Sequence, residues 1–300
     1  MNTSPFVSII VRTYNRPERL KECLQCLARQ KYPSLEVVIV NDAGEDVEQL
    51  LPLELGDRPY QYIQNKQNMG RTAALNIGIE AAKGEYVAFL DDDDAVYDHH
   101  IATLVDTAMP NRLPVVYSDV LNVTFQKNPN TGEWIRVKEQ LVYSFDFERD
   151  NFLLANYIPI NCLLIRKDCF DAVGPFDESL LIYEDWEFLV RLSRQFDFKH
   201  VRAVTGEYRR RDDNSNIKEQ DAYPVNEQAV KRRYRLDRHK VFDPIFKRTF
   251  ELKREIRNRD AKLAQLNQQA MHFQHQLIEA NRRMAQMQQE IQQLRAEKHS

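Results

Sequence analysis

Three short runs suited to β-strands, each ending in a polar cluster, constrain this chain more than any other feature. Val7-Ser8-Ile9-Ile10-Val11 leads into Thr13-Tyr14-Asn15, Leu35 to Val40 into Asn41-Asp42, and Glu85 to Leu90 into Asp91-Asp92-Asp93-Asp94. Helical signals separate them. Pro17 suits a first helical turn, and Leu20, Leu24 and Leu27 recur at helical spacing between Glu18 and Gln30. A further strand is expected through Tyr60-Gln61-Tyr62-Ile63, and Ala73 to Ala82 reads as a helix with Gly84 as its C-cap. Continuous apolar strands alternating with helices predict an α/β fold on a mostly parallel sheet. Ligands of such sheets bind beyond the carboxyl ends of the strands, so the three polar clusters should gather at one edge.

The middle of the chain mixes β-rich pieces (Val115-Val116-Tyr117, Leu163-Leu164-Ile165, Val201 to Val204) with helical ones (Asp168 to Val173, Glu184 to Arg194), and it should complete the same domain. Arg210 to Tyr223 reads as a polar loop. Past Phe242 there is no glycine, and Pro244 is the last proline. Leu263, Ala270, Leu277, Met284 and Ile291 then fall at heptad position a, and Leu266, Phe273, Ala280, Met287 and Leu294 at d. That spacing predicts a long helix in a coiled coil, with Arg259 loosening the seam at an earlier d position; a single amphipathic helix packed on its own domain is the alternative. The expected organisation is a catalytic domain over 1–222, a connection over 223–241 and an oligomerising helix over 242–300.

The net charge of −3 hides an asymmetry: from Val225 to Ser300 there are 17 Lys/Arg against 9 Asp/Glu, leaving 25 against 36 in the rest. An acidic globular part argues against nucleic-acid chemistry, and the basic stretch Lys231 to Lys262 is either a solvated helix face or a contact with anionic lipid. Met1 to Pro5 lacks the character of a secretory leader, and no run approaches the ~18 apolar residues of a membrane span. A cytoplasmic location is expected, at the inner face of the cell membrane if the basic stretch meets lipid. The four cysteines should then stay reduced, with Cys23 and Cys26 as small apolar residues on a helix.

Four consecutive carboxylates at a buried strand's end repel one another unless a cation neutralises them. Oxygen-only ligands favour Mg²⁺ or Mn²⁺ held together with substrate phosphates, as a nucleoside diphosphate would supply. A solvated acidic turn is the plainer alternative. Glu184-Asp185-Trp186-Glu187 begins a helix, where carboxylates also favour the dipole without any further role.

Taken in order, these motifs resemble the family-2 inverting glycosyltransferases with the GT-A fold, over about Pro5 to Arg211. The resemblance rests on Val7 to Asn15, on Val38-Ile39-Val40-Asn41-Asp42, on Asn68-Met69-Gly70-Arg71-Thr72-Ala73-Ala74-Leu75-Asn76-Ile77-Gly78, on Asp91-Asp92-Asp93 and on Glu184-Asp185-Trp186. It implies that Thr13, Tyr14, Asn15, Asp42, Gly70, Arg71, Asn76, Asp91 and Asp92 line the nucleotide sugar, with Asp42 reading the base. It implies further that Asp93 and Asp91 hold the metal, that Asp185 is the catalytic base, and that Glu184 and Trp186 lie on the acceptor side. Trp186 either stacks a sugar or fills the core. Direct displacement with inversion needs such a carboxylate to take the acceptor's proton.

Two departures stand out. Where relatives place a histidine after a Tyr-Arg pair, this chain has Arg210 and Arg211, so arginine forks hold the pyrophosphate or the third metal ligand comes from elsewhere. Leu75 stands where relatives often carry arginine, a role Arg71 could assume. The resemblance thus implies transfer of a sugar, from UDP by expectation, onto a glycan or lipid-linked glycan of a surface polysaccharide or lipopolysaccharide. Mn²⁺ or Mg²⁺ would assist, in a homo-oligomer. A nucleotidyltransferase would want a Gly-rich loop after the first strand, which Thr13 to Pro17 lacks. An oligomeric scaffold with a degenerate transferase domain is the other alternative.

Overall fold

The structure, a computed structural model, describes residues 4–211 and, beyond them, residues 227, 229, 230, 233, 234, 252, 255, 259, 262, 263 and 266. Its strands are β1 (Val7–Thr13), β2 (Leu35–Asn41), β3 (Tyr60–Gln64), β4 (Tyr86–Asp91), β5 (Ala95–Val96), β6 (Val115–Lys127), β7 (Trp134–Tyr143), β8 (Leu163–Arg166) and β9 (Phe198–Arg211). The helices are α1 (Pro17–Ala28), α2 (Leu50–Leu55), α3 (Arg71–Ala81), α4 (His100–Ala108), α5 (Arg149–Leu154), α6 (Asp168–Val173) and α7 (Glu184–Ser193).

The strands form one mixed, largely parallel sheet in the order β3-β2-β1-β4-β8-β6-β9-β5, with β7 paired to β6. β1, β2, β3 and β4 run parallel, and β9 runs parallel to β6. β8 reverses direction between β4 and β6, and β5 and β7 are antiparallel to their neighbours.

Alternation along β1 and β4 divides the side chains between two helical layers. Val7, Ile9 and Val11 of β1 and Tyr86, Ala88 and Leu90 of β4 join Leu20, Leu24 and Leu27 of α1 and Ile101, Leu104 and Val105 of α4 in one core cluster. On the other face, Phe89 meets Phe170 of α6 and Phe176, both of which pack on Phe188 of α7. Ile10 lies against α3, where a Cβ built on Gly78 would come within 2.4 Å of its Cγ2. Both β1 and β4 therefore point their last even-spaced side chains, Arg12 and Asp91, toward the α3 and α7 layer.

Two expectations need correction. Gly84 does not cap α3: the cap is Ala82, in extended conformation, because the chain must leave the helix at once to reach β4. Gly84 instead permits a close crossing over β1, since an added Cβ would lie 2.5 Å from the Ser8 amide nitrogen. Arg210 and Arg211 are not loop, because pairing with Thr124 and Phe125 of the long β6 carries β9 to Arg211; residues 212–223 lie outside the described residues. The β6–β7 hairpin was not anticipated; the middle of β7, from Ile135 to Gln140, is exposed.

The chain divides into two compact units, Met1–Pro244 and Ile245–Ser300. In the first, Val230 is buried, and Tyr234 donates its hydroxyl to Glu187 of α7 while Arg233 pairs with Asp177. In the second, Leu252, Glu255, Arg259, Lys262, Leu263 and Leu266 are helical and exposed. The heptads from Ala270 to Leu294, and with them the expected coiled coil, lie outside the described residues. Among the described residues all four cysteines are buried and free, and no helix is long and apolar enough to cross a membrane.

Candidate active site

The three polar clusters do gather at one sheet edge. The Asp42 amide donates to the Thr13 carbonyl at 2.9 Å, the Thr13 hydroxyl to Asp92 Oδ2 at 2.7 Å, and the Glu45 amide to Asn15 Oδ1 at 2.9 Å. Around this edge Asn15, Ala43 and Tyr183 adopt left-handed backbone, with φ of 52°, 62° and 63°. Such non-glycine conformations cost about 1–3 kcal/mol each and collect where function demands a fixed geometry. Tyr14, 44% exposed, presents its ring to solvent.

Each of the four aspartates meets a different environment. Asp91 accepts both arms of the Arg12 fork, from Nε at 2.7 Å and Nη2 at 3.1 Å. Burial pushes the Asp91 carboxyl upward, but the charge and hydrogen bonds of Arg12 outweigh it and hold Asp91 below the usual range. Asp92 is buried under Thr13 with Arg16 Nη2 at 2.9 Å, an ion pair without hydrogen-bond alignment, and burial raises it to about 7. Asp93 Oδ2 lies 3.0 Å from Arg16 and 3.4 Å from Arg19. Asp94 accepts from Asn161 Nδ2 and from the Arg209 amide, both at 2.8 Å; burial, with Asp93 and Asp91 nearby, raises it well above the carboxylate range.

Asp91, Asp93 and Asp94 each bring one carboxylate oxygen within 4.8 Å of the others. That all-oxygen set suits a hard divalent cation. The third carboxylate comes from the next residue of the acidic run. Arg211 donates to the Asp93 carbonyl and, with Arg209, pairs with Glu22, while Arg210 is exposed and lies against the Tyr208 ring.

Asp42 is buried, and its carboxylate is largely committed to the chain itself. Oδ1 accepts from Asn65 Nδ2 and the Met69 amide, and Oδ2 from the Gly70 amide, all at 2.8 Å. Gly70, at φ 94°, then opens α3. Asp42→Ala is expected to destabilise the protein by about 1.5–3 kcal/mol in chemical denaturation, since two backbone N–H groups lose a charged acceptor. An unchanged midpoint would show that the 65–70 loop does not depend on this carboxylate.

At the start of α7, Glu184 is 1% exposed and accepts from Arg12 Nη1 at 3.1 Å and pairs with Arg71 Nη2 at 2.9 Å. Asp185, next in sequence, accepts from the Trp186 amide at 2.7 Å and from Asn156 Nδ2 at 3.1 Å. Burial, then the charge of Glu184, lifts the Asp185 carboxyl to about 6, the range of a general base active near neutrality. Three of the expected site residues turn inward instead. Trp186 is 1% exposed and donates its indole N–H to the Phe152 carbonyl, so it fills the core and cannot stack a sugar. Glu184 serves here as an internal counter-ion to Arg12 and Arg71. Both polar atoms of the Asn76 amide are taken by Phe176 and Glu178, which ties α3 to the loop before α7.

Sequence reading missed Arg12, Arg16, Arg19, Asn156 and Asn161. Arg12 carried a usable signal, a lone charge at the end of an apolar strand. Asn156 and Asn161 reach the site only through tertiary folding. Three buried side-chain atoms have no hydrogen-bond partner among the described residues, Arg71 Nε, Asp92 Oδ1 and Asn161 Oδ1, and all belong to this site. Unsatisfied buried groups are rare elsewhere in proteins, and here all three cluster around the acidic run and the start of α3.

The model of the family described as glycosyl transferase family 2 matches residues 8–174. The glycosyltransferase YwdF of Bacillus subtilis is 32% identical over 198 residues, covering 65% of this chain and 70% of the relative. A Rickettsia typhi glycosyltransferase is 31% identical over 195 residues, and the match spans 64% of this chain but only 59% of that relative. Among solved structures, Staphylococcus aureus TarS 1–349 in complex with UDP-GlcNAc superposes with a TM-score of 0.57 at 20% identity, over 73% of this chain and 64% of TarS. A mannosyltransferase from Pyrobaculum calidifontis in complex with GDP-Man and Mn²⁺ gives a TM-score of 0.57 at 18% identity, over 86% of this chain and 72% of its own.

Proposed function

The chain belongs to glycosyl transferase family 2 and is a glycosyltransferase, and from that premise we propose that it moves a sugar from a nucleoside diphosphate, UDP, onto a glycan acceptor with inversion. One observation carries the reading. A single buried guanidinium, Arg12, touches both Asp91 of the acidic run and Glu184, the neighbour of Asp185, so the donor side and the candidate base share one wall.

In this reading Asp185 takes the acceptor hydroxyl's proton, with Asn156 and the Trp186 amide fixing its carboxylate. Asp42 and the loop it holds meet the base, and Thr13, Tyr14 and Asn15 border the nucleotide. Arg71 lies at the start of α3, and its unpartnered Nε suits a phosphate oxygen. The carboxylates fit a divalent cation, Mn²⁺ or Mg²⁺, held by Asp93 and Asp91 with Asp94 beside them. When bound, it would neutralise charge on the departing diphosphate. A lipid-linked or surface-polysaccharide acceptor at the inner membrane face fits the basic stretch after residue 230, and the heptads after Leu263 fit a homo-oligomer.

The test is turnover of UDP-glucose, UDP-galactose, UDP-GlcNAc and GDP-mannose with Mn²⁺ or Mg²⁺, following nucleotide release and the anomeric configuration of the product. Release from a UDP-sugar with inversion is expected. No turnover and no calorimetric UDP binding would point to the scaffold whose transferase domain is inactive.

A further inference from the structure

We infer that Arg12 is a positioning residue for transfer: its guanidinium locks the Asp91 carboxylate and the start of α7 into one arrangement, and thereby sets where Asp185 stands relative to the donor. This rests on the reading of Asp185 as the base.

The sequence places Arg12 for that task. It is the last residue but one of β1 and pairs in register with Asp91, the last residue of β4. Alternation puts both side chains on the sheet face that Ile10 shares with α3, so a long basic side chain there runs along that face toward the starts of α3 and α7. Arg12 is 8% exposed, and it reaches three chain segments that are far apart in sequence. Nε and Nη2 clamp Asp91, while Nη1 donates both to Glu184 Oε1 and to the Arg71 carbonyl at 3.1 Å. Arg71 returns a second cation to the same Glu184 oxygen at 2.9 Å, closing a ring between β1, α3 and α7.

That ring bears on the reaction because α7 begins abruptly. Tyr183 enters it in left-handed backbone, and no side-chain cap fixes its first turn. Glu184 is the first helical residue, Asp185 the second, so whatever holds Glu184 holds the base as well. A planar fork that bonds two carboxylates at once fixes direction as well as distance, which an ammonium cannot do. Arg12 itself needs no contact with substrate to act in this way.

The experiment uses the full chain with Arg12→Lys and Arg12→Met. Thermal melting checks folding, calorimetry with UDP and Mn²⁺ reads donor-site affinity, and kcat and KM are taken for whichever of UDP-GlcNAc, UDP-glucose or GDP-mannose the wild type turns over. With the fold retained, Arg12→Lys should keep the UDP Kd within about threefold while kcat falls ~10²-fold, the scale of a base displaced by about an ångström. Unchanged kcat in Arg12→Lys, or a loss confined to KM and UDP affinity, would overturn the positioning role. Amide exchange provides an arm independent of activity. In both variants the amides of residues 184–188 should exchange at least ~10-fold faster, with those of β2 unchanged; equal rates would overturn the inference even if Arg12→Met loses turnover. Should the wild type turn over neither these donors nor UDP-galactose and bind no UDP, the transferase reading fails, and the exchange result still decides whether Arg12 holds α7.

Discussion

Asp185→Asn should retain the UDP affinity of the wild type within about twofold and transfer sugar slower by ~10²–10⁴-fold, the span a positioned general base contributes. Its surroundings make the substitution informative. The Trp186 amide and Asn156 Nδ2 each donate to one carboxylate oxygen, and an asparagine can still accept the first of these, so the start of α7 should survive. What disappears is the basic oxygen. Burial and Glu184 raise the Asp185 carboxyl to about 6, against an ordinary aspartate near 3.8. The active form is deprotonated, so wild-type kcat should fall as pH drops through about 6 and level off above it. The variant should lack that acid limb. Wild-type turnover in Asp185→Asn, or an unchanged pH profile, removes Asp185 from the mechanism.

Much of this site was legible in the sequence because it lies at strand ends. Strand polarity and the rule that ligands sit beyond the carboxyl ends were enough to bring Thr13, Asp42 and the aspartate run together. Contacts to a remote partner were not legible. Asn76 falls within a motif beside the nucleotide, yet its amide is bonded to Phe176 and Glu178, a hundred residues on. Trp186 could be placed on either side of α7 until Phe152 supplied the carbonyl for its indole. β7 carries β-forming residues, Trp134, Ile135, Val137, Leu141, Val142 and Tyr143, but it pairs only with β6 and its middle faces water, so no buried face marked it as a strand. The arginines that neutralise the aspartates, Arg16 and Arg19, read equally well as solvated charges at the start of α1.

Those arginines also single out which aspartate matters most for a cation. Asp91 has both oxygens in the Arg12 fork, Asp94 has both taken by Asn161 and the Arg209 amide, and Asp92 is enclosed by Thr13 and Arg16. Among the described residues, Asp93 alone of the four keeps an oxygen, Oδ1, that takes neither a hydrogen bond nor an ion pair from the protein. It is also partly exposed, at 19% of its side-chain surface, whereas Asp92 shows none. Asp93→Ala should therefore weaken Mn²⁺ binding, followed by the paramagnetic signal of the free ion, by at least ~10²-fold, since even residues that only support a ligand change affinity by 10–100-fold. Turnover of the nucleotide sugar should fall with it. Stability should change by no more than about 1 kcal/mol, because the ion pairs lost with Arg16 and Arg19 are partly solvated and Arg16 keeps Asp92. Asp92→Ala makes the contrast: it removes a buried hydrogen-bond acceptor of Thr13, so it should lower the melting temperature more and Mn²⁺ affinity less. Wild-type Mn²⁺ affinity in Asp93→Ala would mean that Asp91 and Asp94 hold the cation without it.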